Sequence, residues 1–254
     1  MNRASSSQPG QLHRLTTLGG LLGIKTSPLA ARLAPLAAFC DQHLTVTVPF
    51  NFDAISATTR VPRATAETLC GPWLANLPGD ELDLEVDIDR ITATSDDAAL
   101  PTDAPSAVTA LGTASFASLG LDGTVTTYAF EQPNGDDATT ADNAARLDAL
   151  AASLGVTASQ RKIAASLLTS LARNRPHRLV LRAITGTVDP TLGIAWDDVE
   201  WRPIQSMLAG FYPNGRGADL VARLSRNIDA QHATIELLLG RTDPPGMRIS
   251  FALI

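Results

Sequence analysis

Arg248 is the one charged residue in the C-terminal run MRISFALI, and it alternates out of register with Met247, Ile249, Phe251 and Leu253. Its own face continues with Ser250 and Ala252, whose small side chains would leave room beside the guanidinium if that face lined a cavity. A guanidinium so placed can hold a carboxylate or phosphate through two parallel N–H bonds, and Arg182, in the extended run RLVLR, offers a second donor. Trp196 in WDDVEW shares a strand face with Asp198 and Glu200 and could stack at a pocket rim. The candidate ligand-binding set is therefore Arg248, Arg182, Ser250 and Trp196. The plainer alternatives are a core role for Trp196 and, for Arg248, a surface ion pair worth about 0–1 kcal/mol. If the anion clamp holds, Arg248→Ala weakens anion binding by about 1.5–3 kcal/mol and hardly moves the melting temperature.

The other ionisable groups point less clearly. Glu81, Asp83, Glu85, Asp87 and Asp89 alternate with Leu82, Leu84, Val86 and Ile88, which reads as a strand with a solvated acidic face. Were that face to line a cavity instead, it would suit a cationic ligand or a divalent metal with oxygen ligands. Asp197, Asp198 and Glu200 fall on two faces of a regular strand, so pairing them would take a bulge. His13, His43, His177 and His232 have no metal-ligand spacing, and three of them stand where a helix gives way to a strand, a position the helix dipole favours. There is no G-x-S-x-G elbow, phosphate loop, H-E-x-x-H or paired C-x-x-C. The glycines of NGRGADL lack the strand and spacing of a dinucleotide fingerprint and read as a loop and helix cap. No catalytic residue, metal or cofactor is assigned, and the balance leans away from an enzyme.

What must position these residues is a recurring unit. LARNRPHRLVLRAITGTVDP, residues 171–190, returns more loosely as LSRNIDAQHATIELLLGRTDP, residues 224–244. Each copy runs from a helical end through a His and an apolar extended run to an Asp-Pro turn, and a second extended run follows. Upstream, the sequence predicts a helix from Ser27 to Cys40 interrupted at Pro35, and an edge strand from Leu44 carrying Pro49. A helix over Ala66–Leu77, the strand Glu81–Ile91, a loop over 92–111 and a hairpin about Asp122-Gly123 come next. Helices over Ala144–Leu154 and from a capping box at Thr157–Gln160 precede the first copy of the unit. Strands joined by tight turns are antiparallel, and helices inserted between strand pairs cover one face of the sheet. The expected fold class is α+β: an antiparallel sheet of about seven to nine strands, open or barrel-like, backed by helices in imperfect αββα repeats. Residues 1–14 read as a disordered N-terminus and residues 15–254 as one domain, with 132–143 the place to divide it.

Composition narrows the partners. A net charge of −6 gives no basic footprint for nucleic acid or for an anionic membrane, and no apolar run is long enough to span a bilayer. Cys40 and Cys70 sit in apolar helical contexts and are expected to be free thiols, which with the poor signal-peptide character of the N-terminus suggests a cytoplasmic protein. Only Lys25 and Lys162 stand against eighteen arginines, the usage of a high-GC bacterial genome.

The order of elements over the last 110 or so residues resembles the αββα repeat of the aromatic prenyltransferase barrels. That resemblance implies a metal-independent transferase, which would need several cations facing the lumen to hold a diphosphate. With no catalytic signature, the chain is also similar in general character to accessory peptide-binding proteins of bacterial natural-product clusters such as those for crocagin. That likeness implies a non-catalytic binding protein for a small molecule or peptide in specialised metabolism, which is the function expected here. A third reading is an obligate partner subunit, in a homo- or hetero-oligomer, docking through a sheet edge or the C-terminal FALI.

Overall fold

Strict alternation of apolar and polar residues lets a strand separate two media, and it recurs along most of this chain. The computed structural model describes residues 10–49, 55–71, 74, 77–95, 116–120, 125–131, 140–170, 178–182, 191–200, 232–241 and 245–253, with isolated positions between 202 and 223. The alternating segments form ten strands: β1 (Leu44–Pro49), β2 (Ser56–Pro62), β3 (Glu81–Val86), β4 (Ile91–Ser95), β5 (Phe116–Gly120), β6 (Val125–Glu131), β7 (Arg178–Arg182), β8 (Thr191–Glu200), β9 (His232–Leu239) and β10 (Gly246–Leu253). Each pairs antiparallel with its neighbour in the chain, and β10 pairs with β1 to close the ring into a barrel. The expected α+β class and antiparallel sheet are present, and the sheet curls to closure. The ring runs without a break past 132–143, because β6 pairs with β7.

Two strands escaped the sequence reading. Residues 56–62, SATTRVP, lack an apolar stripe, yet Ala57, Thr59 and Val61 are all buried as β2. The acidic strand stops at Val86, where Asp87 accepts bonds from the backbone N–H groups of Asp89 and Arg90 and turns the chain. β4 then begins inside what reads as loop. An aspartate bonding the backbone two and three residues on is ordinary turn chemistry, hidden here because Ile88 continues the alternation through the turn. Pro49 is not on an edge: β1 has partners on both sides, and proline is tolerated because the β1–β2 ladder spans only Thr45–Thr47.

The helices are α1 (Gln11–Leu22), α2 (Ser27–Leu33), α3 (Ala37–Cys40), α4 (Arg63–Cys70), α5 (Thr140–Ser153) and α6 (Ala158–Ser170). Residues 11–14, read as disordered, are the first turn of α1. Pro35 interrupts the predicted helix as a 3-10 turn, Ala34–Leu36, while Leu29, Leu33, Leu36 and Cys40 stay on its buried side. α4 begins earlier and ends sooner than expected, because Gly71 at φ 92 takes a conformation that stops it; Leu69, expected on the buried face, is exposed. Thr157 caps α6 by accepting from the Gln160 N–H at 3.3 Å. The Gln160 side chain does not return to the cap; it is buried, and its Oε1 accepts from Gly240 N–H at 2.7 Å just past β9. Both copies of the recurring unit end on Asp-Pro pairs that lie outside the described residues, as do most of the helices expected near 203–211 and 218–228.

Leu44, Val46 and Val48 on β1, Leu82, Leu84 and Val86 on β3, Leu192, Ile194 and Trp196 on β8, Ile235, Leu237 and Leu239 on β9, and Met247, Ile249 and Phe251 on β10 form one buried face, continuous with Leu15, Leu29, Leu33 and Leu167 of the helices. Helices therefore cover the outside of the barrel, and the other strand face lines its lumen. Because strand direction alternates around the ring, the helical links α1–α3 into β1, α4 between β2 and β3, and α5–α6 between β6 and β7 all lie at one end. Among the described residues no helix is long and apolar enough to cross a membrane.

Both cysteines are free. Burial pushes the Cys40 thiol up to about 11, and burial also raises that of half-buried Cys70. A thiol reagent at pH 8 is expected to label Cys40 only after denaturant is added, since the thiolate is the nucleophile. Native labelling of Cys40 within minutes, followed by mass spectrometry, would show this thiol to be open.

Candidate functional site in the barrel lumen

Arg248 lies opposite Glu236 of β9 and opposite Pro49 of β1. Its Nε donates to Glu236 Oε2, and its Nη1 is 3.9 Å from Glu85 Oε1 on β3. β10 and β3 are separated by β1 and β2, so their backbones stand three strand spacings apart, about 14 Å along the sheet. Side chains converge over that span only on a concave surface. This contact identifies the polar face as the interior of the barrel.

The register then names what else is inside. Thr45, Thr47, Thr58, Asp83, Thr92 and Thr94 share that face with Glu85 through successive pairings. Ser250 and Thr47 face each other and share a hydrogen bond of 2.8 Å. Ser56 donates to Glu85 Oε1 at 2.7 Å, and Arg60 holds Asp83 by two parallel bonds of 2.8 and 2.9 Å. Across from Glu236 stand the small residues Gly193 and Ala195 of β8. The lumen face of the described strands is thus lined by hydroxyls, carboxylates and two guanidiniums. The acidic strand faces this interior, not bulk solvent.

Accessibility changes along the barrel in one direction. On β9 it rises from buried Glu236 through Thr234 to exposed His232, and on β10 from Arg248 and Ser250 to exposed Ala252. The charged contacts of Arg248 lie towards the hairpin end, and exposure grows towards the end that carries the helical links.

β8 breaks register between Trp196 and Val199, with Asp198 at φ 57 as the extra residue of a bulge. The bulge sends Asp197 to the lumen, where it accepts from Thr234 at 2.7 Å, and puts exposed Asp198 3.3 Å from His232 Nδ1. It also returns Val199 to the buried outer face. The regular alternation that put Trp196, Asp198 and Glu200 on one face ends there.

Of the four candidate residues, Arg248 and Ser250 come together in the lumen. Trp196 does not join them: it is fully buried, pairs with Ile235 on the outer face and belongs to the layer between barrel and helices. A stacking role at a pocket rim is thereby replaced by a core role. Arg182 occupies the β7 position opposite Thr191, and its side chain is not among the described ones. Arg248 is neither a surface ion pair nor an uncommitted clamp, because Glu236 holds it inside the lumen; the expectation that Arg248→Ala would leave stability untouched is revised accordingly. Glu85 and Glu236 were missed as lumen residues. A usable signal existed for Glu236: counting back from the turn RTDPPG places it opposite Arg248.

The docking mode suggested for a partner subunit also changes. β10 is hydrogen-bonded to β1 on one side and β9 on the other, so the run FAL is an interior strand of the ring and presents no edge. Among the described residues, no group of three or more His, Cys, Asp or Glu side chains is placed to hold a metal ion. No family model matches the chain, and no curated protein matches it as a relative.

Proposed function

We propose that this chain is a non-catalytic, cytoplasmic binding protein that holds a small molecule or a peptide end in its barrel lumen, as an accessory component of bacterial specialised metabolism. The observation that carries the reading is the convergence of Arg248, Glu236 and Glu85 across the concave face, flanked by Ser250, Gly193 and Ala195. Polar groups kept at the inside of a barrel, with small residues leaving volume beside them, are what orients a ligand in a concave site. The helix–strand–strand order around a closed ring supports the likeness to αββα barrels in architecture. The charge speaks against their chemistry: on the described lumen face Arg60 and Arg248 are each engaged by carboxylates, where a diphosphate would need free cations.

A thermal-shift panel of metabolites and short peptides tests this. A ligand present at 100 times its Kd adds about 2.7 kcal/mol of stability. Hits are expected to raise the melting temperature of the parent and to be lost in Ser250→Trp, which fills the lumen, provided that variant melts cooperatively. Hits that bind Ser250→Trp unchanged would place the site elsewhere. Product formation from prenyl diphosphates and aromatic acceptors, with or without Mg²⁺, would replace the binding reading with the transferase one.

A further inference from the structure

Arg248 serves Glu236 first, since its Nε bonds that carboxylate while its Nη1 stays 3.9 Å from Glu85, beyond hydrogen-bond reach. Among the described residues, the hydrogen bond to Glu85 comes from Ser56, on Oε1, and Oε2 receives none. Glu85 is also open to the lumen, its side chain 33% exposed where Glu236 is at 7%. On the strands either side, Thr58 and Thr92 stand directly opposite it, so one carboxylate is bracketed by two hydroxyls on a concave wall.

From this geometry we infer that Glu85 is the ligand-binding carboxylate of the lumen and that it takes a cationic nitrogen, an ammonium or guanidinium group, with Thr58 and Thr92 accepting its remaining N–H donors. A carboxylate offers acceptors only, and in a recess of reduced dielectric it gains most from a charged donor. A hydroxyl accepts as readily as it donates, so the two threonines complete a three-sided acceptor set for an ammonium's three N–H bonds. The inference rests on the lumen being the binding site, and it reverses the sign of the ligand expected from Arg248.

Titration calorimetry with agmatine and putrescine, and with 1,4-butanediol as the uncharged counterpart of putrescine, tests it. Both amines are expected to bind the parent at least about tenfold more tightly than the diol, and Glu85→Gln to weaken them by about tenfold or more, the scale of a charge-assisted hydrogen bond. Thr92→Val, which leaves every described ion pair in place, is expected to weaken them by a smaller factor and covers the case in which Glu85→Gln fails to fold. Equal binding of diol and diamine, amine binding unchanged in the folded Glu85 or Thr92 variant, or no amine binding at all would each overturn the assignment of ligand class. The lumen reading has its own readout: panel hits that Ser250→Trp abolishes and Glu85→Gln spares would leave the lumen standing without the cationic ligand, whereas amine binding that survives Ser250→Trp would overturn both.

Discussion

Arg248→Met is expected to destabilise the protein by about 3–5 kcal/mol, because it removes the guanidinium from a carboxylate that stays buried. Glu236 is 5% exposed, with Gly193 and Ala195 facing it across β8, so the chain cannot easily hydrate the stranded charge. For a chain of this length the loss corresponds to a fall in melting temperature on the order of 10 °C. Glu236→Gln added to Arg248→Met should recover most of it, since replacing both members of a buried ion pair is often close to neutral. Thermal melts of the parent, the two single variants and the double variant measure the coupling. An Arg248→Met protein that melts within about 2 °C of the parent would show that the pair contributes nothing to the fold.

Deleting residues 247–254 should leave no cooperatively folded protein. β10 is the strand that closes the ring, pairing with β1 through Arg248–Leu253 and with β9 through Gly246–Ser250. Met247, Ile249, Phe251 and Leu253 are all buried against the helices, and each such side chain contributes about 1.5–3 kcal/mol by leaving water. Their sum is comparable with the whole net stability of a typical domain. The deletion would also expose unpaired backbone on β1 and β9, two open edges prone to aggregation. The expected product is insoluble or molten, without a sigmoidal melt. A deletion variant melting cooperatively near the parent temperature would show that the ring is not needed for folding.

The sequence by itself determined the local elements wherever one periodicity was unbroken. Leu44–Pro49, the β9 and β10 runs, the hairpin strands around Asp122-Gly123 and the 3-10 interruption at Pro35 are all legible, because alternation, turn residues and proline geometry act within a few residues. The α+β class and antiparallel pairing follow from the same signals. Where local patterns misled, a local competitor was at work: the Asp87 side chain makes a turn that Ile88 conceals, and the polar residues of SATTRVP hide β2.

Only the tertiary structure decided which strand face is inside. Periodicity separates two faces and is silent on curvature, and closure of β10 onto β1 depends on ten registers at once. That closure turns an acidic row from a solvated surface into a lumen wall. It sets Arg248 within reach of Glu85, 163 positions earlier in the chain. The Asp198 bulge then sends Asp197 to the lumen while Trp196 stays in the core, a choice made by backbone conformation at one residue. The site is therefore a property of the ring, because its charges are brought together by strands whose pairing no local segment encodes.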